Sequence, residues 1–153
     1  MAIADDVAKY IINTSPVDNL KLQKLLYYSQ AVYLVQNGKE PLFMDSIEAW
    51  DYGPVVPPIY QRYKGYGLDT IPASPSPLNL NEKELESVDM TLAYYGEMSG
   101  LALMSKTHQE LPWKESYKQG HPGHVISIDL IYDYFSKALE FTAEVFSDCE
   151  NGP

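Results

Sequence analysis

Three histidines, one cysteine and twenty-one carboxylates are the groups in this 153-residue chain that could hold a metal or move a proton. His121 and His124 stand three apart around Pro122-Gly123, which predicts a loop rather than a helix face. With His108 or Cys149 they could offer imidazole and thiolate to zinc, but no HExxH or paired-Cys pattern supports that. Ordinary surface or hydrogen-bonding histidines are the plainer reading. Cys149 lies beside Asp148 and Glu150, whose charges disfavour a thiolate. The sequence contains no Gly-x-Ser-x-Gly elbow, no GxxxxGK[ST] loop and no GxGxxG turn. One enzymatic alternative stays open, a metal-dependent hydrolase or other small enzyme built around His108 with Glu48 or Asp51.

Two segments carry more special residues than a plain scaffold needs. Glu48-Ala49-Trp50-Asp51-Tyr52-Gly53-Pro54-Val55 combines two aromatics, two carboxylates and a turn at Gly53-Pro54. Thr107-His108-Gln109-Glu110-Leu111-Pro112-Trp113 ends a short helix with a His and a Trp five residues apart. Both have a structural reading: aromatic rings bury area near a turn while a polar tip finds a partner, and His108 caps helix carbonyls. Both also have a functional reading as parts of one shared surface.

The elements that must position these segments are mostly helical. A first helix is expected from Ile3 to Asn13, with Ile3, Val7, Tyr10 and Ile11 inward and Pro16 after it. Asp18 is placed to cap a second helix, Asn19 to Gln36, that is apolar over most of its circumference and must therefore be surrounded by others. Asn37-Gly38 supplies its left-handed stop. Residues 42–50 read as a short hairpin or extended crossing. Pro57-Pro58 fits only the first turn of a third helix, with Ile59, Tyr60, Tyr63 and Tyr66 along it. After a Pro- and Ser-rich loop, Asn81 caps a fourth helix with Leu85, Val88, Leu92 and Tyr95 inward. Ser99 caps a fifth one with Leu101, Leu103 and Met104, which Pro112 closes. Gly120, Pro122 and Gly123 make a loop. Ser127 caps the last helix, with Ile128, Ile131, Phe135, Leu139, Thr142 and Phe146 repeating, and with Glu140, Glu144 and Asp148 on its outer face. The expectation is a mainly α, compact single-domain bundle of about six helices spanning residues 1–153, with an extended segment or hairpin near 42–50.

Composition narrows the classes. A lone cysteine rules out an internal disulfide framework and fits a reducing, cytoplasmic setting. No apolar run reaches the length of a membrane span, and the acidic N-terminus does not read as a signal peptide. Eleven Lys+Arg against twenty-one Asp+Glu give a net charge of −10, which counts against a nucleic-acid partner. The charge is uneven. Residues 1–67 hold seven acids and six bases (net −1), and residues 68–153 hold fourteen acids and five bases (net −9). Either the later helices carry solvated acidic faces, or a basic partner docks there. Thirteen tyrosines are the other excess. Those at 27, 28, 33, 52, 60, 63 and 66 fall in the nearly neutral half, and that half is expected to supply an aromatic protein-binding surface.

The ordered set Leu22-Gln23-Lys24-Leu25-Leu26-Tyr27-Tyr28, Pro41-Leu42-Phe43, Glu48 to Pro57, Thr107-His108 and Leu111-Pro112-Trp113 resembles the motif series of the Panacea domain, the SocA-like antitoxin family. The resemblance spans roughly residues 20–118. It implies a phage-associated or prophage-type antitoxin that neutralises a toxin encoded beside it by direct binding. It also implies a Clp-type protease as a second partner, with this chain as adaptor, and no enzymatic activity or cofactor. The family motif positions are Lys24, Tyr27, Trp50, Tyr52, Gly53, Pro54, His108 and Trp113. Asp51, Tyr60 and Tyr63 join them as candidate contacts beside the same segment.

Overall fold

An 18-residue helix that is apolar on nearly every side can be stable in water only if other elements enclose it. In the computed structural model, which describes residues 1–138, α2 (Asn19–Gln36) is that helix: every residue from Leu22 to Val32 is buried. Asp18 caps it by accepting a hydrogen bond from the Lys21 amide at 2.8 Å. Gly38 (φ 62°) and Lys39 (φ 73°) turn the chain away in the left-handed region. Around α2 pack α1 (Ala4–Thr14), α3 (Pro57–Tyr63, followed by a 3-10 turn at Lys64–Tyr66), α4 (Glu82–Tyr95), α5 (Gly100–His108) and α7 (Ile128–Lys137). A short α6 (Leu111–Ser116) packs on α7 and the sheet. The protein is mainly helical, with seven α-helices among the described residues.

The exception is a small antiparallel sheet of order β2-β1-β3, made by β1 (Ile47–Trp50), β2 (Gly53–Val55) and β3 (His124–Ile126). The hairpin register pairs Glu48 with Val55, Ala49 with Pro54 and Trp50 with Gly53. The turn is therefore Asp51-Tyr52, and Gly53-Pro54, read above as the turn, lies within β2. Proline is tolerated there because β2 is an edge strand and needs no amide donor on its outer side.

Five other expectations change. Ile3 precedes α1 as its N-cap and is exposed. The buried face of α4 is Glu84, Ser87, Val88, Thr91 and Tyr95, leaving Leu85 and Leu92 at its flank. Small side chains permit that close approach to α2, and their hydroxyls are satisfied: Ser87 donates to Gln36 Oε1 (2.9 Å) and Thr91 to the Ser87 carbonyl (2.8 Å). Pro112 does not merely close α5; it sits in the first turn of α6, where its missing amide costs nothing. The stretch after Gly123 is the third strand rather than loop, and Leu101 is exposed. The predicted last helix is present over Ile128–Lys137. Leu139, Thr142, Phe146, Glu140, Glu144, Asp148 and Cys149 lie outside the described residues.

The polar residues of α2 explain how a mostly helical core holds an irregular segment. Gln30 accepts from the Leu42 amide (2.6 Å) and donates to the Phe43 carbonyl (2.8 Å), pairing with the chain as a strand would. Gln23 accepts from the Val56 amide (2.9 Å) and donates to Asn19 (2.9 Å), which in turn donates to the Tyr60 carbonyl (3.1 Å). These backbone groups are buried and would otherwise lack partners. Replacing Gln30 by Leu keeps the volume but strands a buried donor and a buried acceptor. It should cost about 2–4 kcal/mol in urea unfolding, since each stranded group costs roughly 1–3 kcal/mol. A loss below about 1 kcal/mol would mean that water or a shifted loop replaces both bonds.

Candidate functional site

The hairpin and the α5–α6 corner meet, joining the two segments that the sequence singles out. The indole N–H of Trp113 donates to the Trp50 carbonyl at 2.8 Å. Trp113 stacks on His108 on one side (centroids 4.1 Å apart) and on Tyr117 on the other (4.5 Å), so three rings form one half-buried pile. Tyr117 donates to the Asp51 carboxylate at the tip, which holds the phenol pKa above its ordinary value. On the opposite side Trp50 meets Tyr60 edge-on at 5.0 Å, and its own N–H donates to Glu48 (2.9 Å). Tyr52, at the turn, is 69% exposed.

Beneath the tip, Lys24 is buried and donates from Nζ to the Pro54 carbonyl at 3.0 Å. Burial drives its pKa down to about 7, against a smaller opposing pull from Asp18. Gly53 adopts φ +106°, and a Cβ there would stand 2.7 Å from Lys24 Cε and 2.8 Å from Thr107 Oγ1. Glycine is thus required twice, by conformation and by the approach of α2 and α5. His108 ends α5, but it reaches the Asp51 backbone rather than the carbonyls of its own helix. Burial lowers its pKa below 6.5, with the nearby Lys24 acting in the same direction and the Asp51 contact opposing. Its Nε2 is buried with no hydrogen-bond partner.

The candidate residues therefore separate by depth. Lys24, Tyr27, Gly53 and Pro54 are buried and offer a partner no surface. Tyr27 points into the core and donates to Glu110 (3.2 Å), as does its neighbour Tyr28 (3.0 Å). Asp51 and Tyr52 are exposed, while Trp50, Tyr60, Tyr63, His108 and Trp113 are half-buried. Tyr66 beyond them is exposed. One participant went unremarked in the sequence, Tyr117, four residues after Trp113, and Gln23 stood there only as part of a motif, with no role read for a polar residue on an apolar helix.

This arrangement is poorly suited to the hydrolase alternative. Glu48 accepts from Trp50, the Asp51 carboxylate accepts from Tyr117, and His108 meets the Asp51 backbone instead of either carboxylate. Among the described residues no cluster of His, Cys, Asp or Glu is placed to hold a metal. No helix among them is long and apolar enough to cross a membrane.

Lys24 makes stability depend on pH. Between pH 7 and 10.5 the unfolded chain keeps a proton on this amine that the folded chain has released. Raising the pH through that window therefore favours folding, by at most about 1.4 kcal/mol per unit. Unfolding free energies from pH 6 to 9.5 should show wild type gaining on Lys24→Met as pH rises. Parallel profiles would show that the buried amine stays charged.

The chain is similar to known proteins in this region. Antitoxin SocA of Caulobacter vibrioides (strain NA1000 / CB15N) is 30% identical over 115 residues, covering 64% of this chain and 58% of SocA. The chain thus matches little more than half the length of that curated relative. No solved structure matches. The model of the family described as "Antitoxin SocA-like, Panacea domain" matches residues 22–114, a span containing most of α2, the hairpin and the His108–Trp113 corner. By that match over more than half of its length, the chain belongs to the SocA-like antitoxin, Panacea domain family.

Proposed function

We propose that this protein is an antitoxin that acts by binding, docking a toxin polypeptide on the aromatic surface at the hairpin tip. One observation carries the reading: Tyr52 projects from a turn whose base is clamped by α2, α5 and α6. Lys24 holds β2 from below, Trp113 holds the Trp50 carbonyl, and Tyr117 holds Asp51. An exposed aromatic on a rigid support loses little entropy when a partner covers it, which is how interface anchors gain their energy. Tyr60, Tyr63 and Tyr66 extend the same face along α3 and the turn after it. Family membership supports the antitoxin role, and the relative that it resembles bears the name antitoxin. The partner is a toxin encoded next to this gene. Delivery of the bound toxin to a Clp-type protease is the further step that we attach to this reading.

The test is co-expression with the small open reading frame beside the gene. The neighbour should be lethal alone and harmless with this protein, and the two should co-purify. Tyr52→Ala should leave the melting temperature within about 2 °C, because surface changes rarely exceed ~0.5 kcal/mol. The same change should weaken co-purification at least tenfold. A neighbour that stays lethal in the presence of this protein would sink the reading. The adaptor step predicts a shorter toxin half-life with this protein present, and no shortening in cells lacking the Clp protease.

A further inference from the structure

The sheet has two edges, and the structure treats them differently. Pro54 has no amide, so its pairing with Ala49 must be the type in which the two residues exchange no hydrogen bonds. Glu48 and Trp50 therefore point their backbone groups toward β2. By alternation along a strand, Ile47 and Ala49 point theirs toward β3, to Ile126 and His124. Val125, opposite Glu48, is left with its N–H and C=O directed away from the sheet. No hydrogen bond to either group is present among the described residues. The β2 edge, by contrast, is covered, with Lys24 on the Pro54 carbonyl and Gln23 on the Val56 amide. Val125 is 56% exposed, and Met44, 72% exposed, lies beside it across a shallow cleft.

We propose that the edge of β3 docks an extended peptide segment in which apolar residues alternate with Lys or Arg. An open strand edge is a template for another strand, with main-chain bonds giving affinity and side chains giving choice. Charge selects the occupant. Asp45 lines the cleft beside Val125 and Glu48 stands opposite it, and neither forms an ion pair with a Lys or Arg among the described residues, whereas Asp129 is neutralised by Lys39. Pairing of this edge with a second copy would bring like charges together; a basic segment would be drawn in and held. The inference rests on the protein-binding reading above and adds to it a second surface, the far edge of the same sheet, with the kind of segment bound there.

The test uses the 15N-labelled full chain and the synthetic peptide acetyl-Lys-Val-Thr-Val-Lys-Val-Lys-amide, with a Glu-for-Lys version as control. Binding should shift the amides of residues 123–128 and slow exchange of the Val125 amide at least tenfold. The acidic control should not bind. Val125→Pro removes the outward N–H without breaking the pairing to β1, and should weaken binding at least tenfold. Val125→Lys, which keeps the backbone intact, should weaken it through charge should the proline variant unfold. The proposal is overturned if the peptide does not bind or shifts only residues 51–66, or if both variants bind as wild type does. It is equally overturned if wild type forms a dimer that Val125→Lys dissolves. The toxin reading is tested separately by the neighbouring gene product. If that protein binds and ignores both Val125 variants, the antitoxin reading stands and the edge proposal fails. If the peptide binds at β3 while the neighbour does not bind at all, the reverse holds.

Discussion

The polar side chains buried on α2 are the constraint on which the other parts depend. A helix enclosed on all sides has no solvated face for Asn19, Gln23, Lys24 or Gln30, so each must find a partner inside or weaken the fold. These four find backbone: Gln30 at Leu42 and Phe43, Gln23 at Val56, Lys24 at Pro54 and Asn19 at Tyr60, while the smaller Ser29 hydroxyl is buried with no partner. The dependence is mutual. Without these side chains the segment from Leu42 to Tyr60 would bury unpaired amides and carbonyls, and without that segment α2 would bury unpaired polar groups. A three-residue strand such as β2 could not hold its place alone. Here the central helix supplies the bonds that a further strand would otherwise provide.

That arrangement makes the hairpin tip stiff while leaving it exposed. The Trp50 carbonyl, the Asp51 carboxylate and the Pro54 carbonyl are held from α6, from Tyr117 just past α6, and from α2 respectively. The stack of His108, Trp113 and Tyr117 is joined to the tip by the two bonds that Trp113 and Tyr117 donate. Neutral forms suit this site. Lys24 and His108 have lowered pKa values and neighbour one another, and two positive charges beneath one turn would repel.

Much of this was legible in the sequence wherever one physical signal dominated. The bounds of α2, its Asp18 cap and its central position follow from apolar coverage and a single capping residue. The first-turn prolines locate α3. Legibility failed where two signals competed. On α4 the leucines suggest one stripe, yet the packed face uses Ser87 and Thr91, because close approach and satisfied hydroxyls outweigh the burial of larger chains. Gly53-Pro54 has turn chemistry, but the glycine answers the approach of Lys24 and Thr107, and the proline answers an edge. β3 is three residues long and pairs with a strand some 75 positions earlier, a contact that local pattern does not encode. Of the candidate site, the two segments were visible but their meeting was not, since the Trp113–Trp50 bond links residues 63 apart.

Two groups among the thirteen tyrosines have different causes. Tyr27 and Tyr28 are buried, and phenylalanine could fill the same space. Glu110, however, is also buried and carries a carboxylate, so the core there needs donors. The two hydroxyls supply them, with Lys106 at 3.2 Å completing the charge balance, and burial beside Glu110 holds the Tyr27 phenol pKa well above 10. Tyr52, Tyr60, Tyr63 and Tyr66 have no such buried acid to serve. They lie along the tip, α3 and the turn after it, half-buried or exposed, in a nearly neutral part of the chain; Tyr60 rests edge-on against Trp50 and Tyr63 packs partly on the core. Aromatic surface retained there is costly unless something covers it.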